Sequence, residues 1–235
     1  MTTAFITGAS SGIGRAMAIE LRAAGFDVFA VGRSQAALEE LRNHGIKPFM
    51  LDITDRESLE AVVKVLHIDV LINNAGMMPP LGNFADMEIS DIDATLEVNL
   101  RAALLLTRLV VPQMRERAAG HILFTGSSAA HSAFSNIAVY SATKAALSAF
   151  AAALRADLSP HGVRVTEIVA GRVETELYKG ILDDKARAAM YAGNVAVQPE
   201  DVAKMVVAVL ALPPRADVTR FDIMPTRPTS PSGTR

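Results

Sequence analysis

Three glycines in the first strand-to-helix turn constrain this chain more than any other feature. The apolar run "AFIT" (4–7) passes directly into "TGASSGIG" and then into "RAMAIELRAAG", which has helical period. A chain that leaves a strand and enters a helix through so few residues turns sharply, and Gly8, Gly12 and Gly14 allow that turn and leave room for close backbone approach. Downstream, short β-branched or apolar runs alternate with longer segments of helical period, which is the pattern of βαβ units around a parallel sheet. The predicted strands are 4–7, 27–31, 47–51, 69–72, 121–125, 164–169 and 220–224. The predicted helices lie near 13–24, 34–43, 55–66, 91–117, 140–158 and 199–211. Thr54 and Ser90 are the expected caps of the third and fourth helices, and Gly25 and Gly45 stand where a left-handed residue ends a helix.

The expected fold is α/β, a single-domain doubly wound parallel sheet of Rossmann type with about seven strands. Residues 1–224 contain no linker and no internal repeat, so one domain is expected over this range. The tail 225–235, "PTRPTSPSGTR", is too rich in Pro, Ser, Thr and Gly to bury a core and is expected to be irregular. Half of the 235 residues are apolar, which is ample for one large core, and the net charge of -2 argues against a nucleic-acid or anionic-membrane surface. With no cysteine there is neither a disulfide framework nor a thiolate metal site, and the five histidines, His44, His67, His121, His131 and His161, read as surface or strand-edge residues rather than metal ligands. Arg101, Arg108 and Arg115 interrupt the longest apolar segment, so no membrane span is expected, and the early first strand leaves no room for a leader; a cytoplasmic location follows.

The turn has a chemical meaning. It falls in the first strand–helix connection, where free N–H groups and the positive end of the helix dipole face a pyrophosphate, and the absence of Gly-Lys-Ser/Thr argues against a triphosphate loop. A second signal is "YSATK", in which Tyr140 and Lys144 share one helix face one turn apart. Taken alone, such a pair is as well explained by packing around a wet hydroxyl.

Together, "TGASSGIG", "NNAG" (73–76), "VNL" (98–100), Ser127 thirteen residues before Tyr140, and "YSATK" resemble the short-chain dehydrogenases/reductases, in that family's order and over essentially the whole chain. The resemblance implies an NADP-dependent oxidoreductase that moves hydride between a nicotinamide and a carbonyl or alcohol. Tyr140 would be the acid/base, with Lys144 favouring the phenolate and reaching the nicotinamide ribose, Ser127 orienting the substrate oxygen, and Asn99 interrupting its helix to hold a proton-relaying water. Ser128 is the fallback for Ser127. Gly8, Ser10, Ser11, Gly12, Ile13 and Gly14 would cradle the pyrophosphate, Asp52 and Ile53 would meet the adenine, and Asn74, Ala75 and Gly76 would flank its ribose; Asn73 reads as structural. Arg33 follows the second strand where an acidic residue would select NAD, and a guanidinium there suits a 2′-phosphate, so NADP(H) is favoured over NAD(H). Val173 by its backbone and Thr175 by its hydroxyl would hold the carboxamide, and Gly171 would let the backbone approach the nicotinamide closely, with Ala170 standing where the family usually has proline and loosening the lid hinge.

The pocket is expected between 129–139 and a lid at 170–194, with Met77, Phe134, Leu177 and Tyr178 as apolar walls. The closing stretch "QPEDVAKMVVAVLALPPRADVTRFDIMPT" is similar to the branch containing bacterial 3-hydroxy acid dehydrogenases and clavulanic-aldehyde reductases, which leaves aldehydes, ketones and hydroxy acids as small-molecule substrates. In the family the helices over 95–117 and 140–158 pair with symmetry mates, so a homo-oligomer is expected, a tetramer or a dimer, with Ala145, Ala149, Ala152 and Ala153 at the contact. The alternative function is a nucleotide-sensing regulator on the same fold, which commonly loses the Tyr/Lys pair retained here. An epimerase of the extended branch would space its glycines differently, and an enoyl reductase would place the lysine seven residues after the tyrosine.

Overall fold

The computed structural model of the chain describes residues 1–192 and 196–227. The alternation read from the sequence becomes β1 (Thr3–Thr7), α1 (Gly12–Ala23), β2 (Asp27–Gly32), α2 (Gln35–Glu40), β3 (Lys47–Met50), α3 (Arg56–Val65), β4 (Val70–Asn73), α4 (Ile89–Leu96), α5 (Ala102–Glu116), β5 (Gly120–Thr125), α6 (Ala138–Leu158), β6 (Val163–Ala170), α7 (Asp184–Tyr191), α8 (Pro199–Leu210) and β7 (Arg220–Ile223). The strands form one parallel sheet in the order β3-β2-β1-β4-β5-β6-β7. The chain thus winds outward from β1 in one direction, crosses back to β4 and winds the other way. That reversal opens a crevice beyond the carboxyl ends of β1 and β4, where such sheets bind ligands.

Period-two alternation divides the five inner strands, β1, β2, β4, β5 and β6, between two apolar layers. Ala4 and Ile6 of β1 face the layer built with Met17 and Leu21 of α1 and Val202 and Val206 of α8. Phe5 between them faces the opposite layer, with Leu71, Leu106, Phe124 and Leu147. Burying each of the Val, Leu, Ile, Met and Phe side chains is worth about 1.5–3 kcal/mol, so both layers hold the crevice in shape.

Several expected boundaries move for local reasons. Thr54 does not cap α3, because its N–H and hydroxyl donate to Asp52 Oδ1 at 2.9 and 2.8 Å. Asp55 is the cap, its carboxylate accepting from Ser58 N at 3.2 Å. Ser90 lies inside α4, which follows Glu88 without a side-chain cap. The helix expected over 34–43 tightens into a 3₁₀ turn at Leu41–His44. The one expected over 91–117 is divided by a π-helical turn at Glu97–Arg101, centred on Asn99. Gly25 and Gly45 take the left-handed conformation, with φ of 91° and 71°. α7, inside the expected lid, was not predicted; residues 193–194 of that lid lie outside the described residues.

His121 corrects a sequence expectation. It is buried in β5, flanked by β4 and β6, with Nε2 2.7 Å from Thr166 Oγ1. Burial first, and then the nearby Arg164 charge, push its pKa down to about 3. Residues 228–235 of the expected irregular tail lie outside the described residues. Among the described residues no helix is long and apolar enough to cross a membrane.

Candidate active site

β1 ends at Thr7, and the chain turns at Gly8 with φ of 66°, a conformation that L side chains rarely adopt. A Cβ on Gly8 would also meet Ala75 Cα at 2.8 Å, and one on Gly14 would overlap the Gly8 carbonyl. Asn74 fixes this turn from the end of β4. Its Nδ2 donates to the carbonyls of Thr7 at 3.0 Å and Gly8 at 3.3 Å, and its Oδ1 accepts from Thr125 Oγ1 at 3.1 Å. Thr7 Oγ1 in return accepts from the backbone N–H groups of Asn74 and Ala75, both at 3.0 Å. The carboxyl ends of β1, β4 and β5 are thereby tied into one rim. Asn73 points away from it, donating to Thr107 Oγ1 at 3.0 Å in the core.

Beyond this rim opens a cavity of about 1020 Å³. At one end α1 begins after Ser11 with no side chain capping it, so its first N–H groups are available to an anion. Gly8, Ser10, Ser11, Gly12 and Ile13 line this end, and Arg33, Asp52 and Ile53 close it. Gly32 contributes by being small, since a Cβ there would meet Ser10 Oγ at 3.1 Å. Hydrogen bonds from Thr54 hold the Asp52 carboxyl below the usual carboxylate range, with a smaller pull from the Arg33 guanidinium. This end therefore presents a cation, a carboxylate and free backbone donors, the set that a phosphorylated adenosine requires.

At the other end stand Ser127, Tyr140 and Lys144. α6 begins at Ala138, which places Tyr140 in its first turn and Lys144 one turn deeper. Tyr140 is 7% exposed and Lys144 4%. Lys144 Nζ donates to the Thr125 carbonyl at 2.8 Å and lies 5.7 Å from the centre of the Tyr140 ring. The sequence suggested that this ammonium would pull the phenol pKa down, but burial wins here and pushes it up to about 12. A hydrogen bond with Ser127 acts in the opposite direction. Burial lowers Lys144 to about 8, against the charge of Glu167. Ser128 also lines the cavity, but it is Ser127 that meets the phenol.

Asn99 does not reach the cavity wall. It is 1% exposed, and its amide makes a reciprocal pair with the backbone of Met77, accepting at 2.7 Å and donating at 2.9 Å; Nδ2 also faces Thr143 Oγ1 at 3.4 Å. The π-helical turn around it lets a helix side chain satisfy a loop backbone, and this pairing fixes the course of Gly76–Met77 past Lys144. Gly14 is likewise behind the wall. Asn74, Ala75, Gly76, Gly171, Val173 and Thr175 are on it.

Met77, Phe134, Leu177 and Tyr178 line the cavity, joined by Met78, Ile137 and Ile181, which the sequence alone did not single out. Met78, Ala129 and Tyr140 form a separate buried cluster on which Ile137, Leu177, Tyr178 and Ile181 pack. Ala170 remains in β6, in register with Ile223. Gly171 is required where β7 passes, since a Cβ there would meet Met224 Sδ at 2.8 Å. A Cβ on Gly12 would meet Thr175 Cγ2 at 3.2 Å, so the lid passes close to the first turn. Among the described residues no group of three or more His, Asp or Glu could hold a metal ion.

Comparison with known proteins agrees with this geometry. The family described as short chain dehydrogenase matches residues 2–186. The chain is 47% identical over 225 residues to a short-chain type dehydrogenase/reductase of Sinorhizobium fredii, y4eK, whose activity is uncharacterized, covering 95% of this chain and 91% of that one. It is 34% identical over 233 residues to the NADP-dependent 3-hydroxy acid dehydrogenase YdfG of Escherichia coli K12, covering 94% and 93%. Among solved structures, the closed form of a serine dehydrogenase complexed with NADP+ superposes with a TM-score of 0.92 at 32% identity, covering 100% of this chain and 98% of that one.

Proposed function

The chain belongs to the short-chain dehydrogenase/reductase family and is an oxidoreductase of that family, and from this premise we propose that it exchanges hydride between NADP(H) and the carbonyl or alcohol carbon of a small aldehyde, ketone or hydroxy acid. The observation that carries the proposal is one cavity with an uncapped helix N-terminus and Arg33 at one end and Ser127, Tyr140 and Lys144 at the other. Both the NADP complex of the serine dehydrogenase and the NADP dependence of YdfG support the choice of cofactor, as does a guanidinium at the end of β2. When bound, the nicotinamide supplies or accepts the hydride.

The residues present fit that cofactor. Gly8, Ser10, Ser11, Gly12 and Ile13 receive the pyrophosphate on backbone N–H groups, while Gly14 lets α1 approach Gly8. Arg33 takes the 2′-phosphate, Asp52 and Ile53 the adenine, and Asn74, Ala75 and Gly76 the adenosine ribose. Val173 and Thr175 receive the carboxamide, and Gly171 lets the backbone approach the nicotinamide. Lys144 holds the nicotinamide ribose. Ser127 hydrogen-bonds the substrate oxygen and orients it against Tyr140. The phenol gives its proton to the oxygen that becomes an alkoxide on hydride addition, and takes that proton back in oxidation. A phenol whose pKa burial holds near 12 stays protonated at neutral pH, which suits reduction. Asn99 holds the Met77 backbone beside Lys144. Apolar walls from Met78, Ile137, Leu177 and Tyr178 favour substrates with a hydrocarbon group next to the carbonyl.

Ala145, Ala149, Ala152 and Ala153 are exposed on α6 rather than buried on the sheet, which supports a homo-oligomer built through this helix. Light scattering coupled to gel filtration checks it, and a mass of one chain at micromolar concentration contradicts it. The functional proposal is tested by a panel of carbonyls and alcohols followed at the nicotinamide absorbance with NADPH and with NADH. Turnover with NADPH preferred is expected. Tight NADPH binding with no turnover on any member would instead indicate a nucleotide-sensing regulator.

A further inference from the structure

β6 is apolar or β-branched along nearly its whole length, yet it carries a buried carboxylate that the chemistry above does not use. Glu167 is 6% exposed and faces α6. Ser148 donates to its Oε2 at 2.9 Å, and His131 Nε2 lies 3.6 Å from Oε1, which is otherwise buried without a hydrogen-bond partner. Three features put this group beside Lys144. Ser148 follows Lys144 by one helical turn, so the two share a face of α6. Lys144 is anchored on the carbonyl of Thr125, and the next residue, Gly126, leaves the space that the carboxylate fills, since a Cβ there would meet Oε1 at 2.7 Å. Glu167 is also in register with Phe124, one residue before that anchor.

A carbonyl satisfies one N–H of a buried ammonium but supplies no charge, and an ammonium withdrawn from water without a counter-charge gives up its proton. We propose that Glu167 is a positioning residue whose buried carboxylate is the counter-charge that keeps Lys144 an ammonium, and so able to hold the nicotinamide ribose and serve Tyr140. This rests on the role given to Lys144 above. Burial brings Lys144 down to about 8, and the Glu167 charge acts against that fall. The other charged or titratable groups around the pair are His131 from the turn after β5, Tyr140 on α6, and Arg220 and Asp222 on β7. Arg220 stands in register with Glu167 but is engaged with Asp222 at 2.6 and 2.5 Å. His131 meets the carboxylate from the solvent side.

Without the carboxylate, Lys144 loses its proton at lower pH. The alkaline limb of kcat/KM, and that of NADPH affinity, therefore move down the pH scale. The experiment compares both profiles in the full-length wild type, Glu167→Gln and Glu167→Asp. The expected result is a downward displacement of both limbs by about one pH unit or more in Glu167→Gln, largely reversed in Glu167→Asp. Should Glu167→Gln not fold, Glu167→Met replaces the carboxylate with an apolar chain of similar length and is expected to show the same displacement. A uniform loss of rate at every pH with unmoved limbs overturns the inference, because packing alone produces that. A wild type that oxidises no NADPH with any carbonyl defeats the functional proposal instead, and its NADPH-affinity profile still reports on Lys144.

Discussion

Replacing Asn74 by alanine tests whether the rim that ties β1, β4 and β5 together depends on one side chain. The substitution removes two hydrogen bonds to the carbonyls of Thr7 and Gly8, at 3.0 and 3.3 Å, and one from Thr125 Oγ1 at 3.1 Å. The bonds from the backbone of Asn74 and Ala75 to Thr7 Oγ1 are untouched. At about 0.5–1.5 kcal/mol each, three lost bonds sum to about 3 kcal/mol, which lowers Tm by about 6–12 °C in a domain of this size. Asn73→Ala is the matched control. It loses one bond, to Thr107 at 3.0 Å, and removes a buried oxygen that has no partner, so about 1 kcal/mol is expected. Urea melts give both values, and NADPH titration of the same samples shows the consequence for the site: Asn74→Ala binds more weakly because the Gly8 carbonyl has lost its tether, while Asn73→Ala binds as wild type. Equal losses of stability in the two variants would refute the reasoning.

Two further outcomes follow from single side chains. Arg33→Ala should weaken NADPH by about one to two orders of magnitude, the value of a charge-assisted hydrogen bond, and NADH by no more than a few-fold; equal losses for both cofactors would mean that Arg33 does not meet the 2′-phosphate. His121 stays neutral in the folded chain down to about pH 3, whereas in the unfolded chain it gains a proton below about 6.5, so its contribution is complete above that value and is lost as pH falls through this window, by up to about 1.4 kcal/mol per pH unit. Urea melts between about pH 7 and about pH 4 should show a shallower acid slope in His121→Leu, whatever its plateau, and an unchanged slope would contradict the assignment.

The sheet was legible because its inner strands are short and largely β-branched or apolar, and the first turn because glycine is demanded there by φ and by the Asn74 contact. Tyr140 and Lys144 were legible because helical spacing is local. What escaped depends on contacts distant in sequence or on weak patterning. The π-helical turn exists so that Asn99 can pair with Met77, 22 residues away, which propensity cannot show. α7 buries none of its residues, so it has no apolar period to detect, and its one local signal is Asp183, whose carboxylate accepts from Ala186 N at 2.7 Å. His121 looked exposed because a polar residue beside a glycine resembles a strand edge, yet β5 lies inside the sheet. The raised pKa of Tyr140 was missed for a related reason: spacing gives the neighbour but not the burial. Glu167 was visible as an acid within "RVTEIV", and only the fold brings it to Lys144.

The central claim is that a cofactor turn and a proton-exchanging phenol share one cavity, and Tyr140→Phe tests it most directly because it removes the hydroxyl while leaving the ring in place. The measurement is the rate of NADPH oxidation on the best carbonyl of the panel, paired with the NADPH dissociation constant of the same preparation. The account predicts a rate lower by about two to four orders of magnitude, the range of a lost general acid, with NADPH affinity within a few-fold of wild type. A variant that keeps its rate within a few-fold of wild type contradicts it.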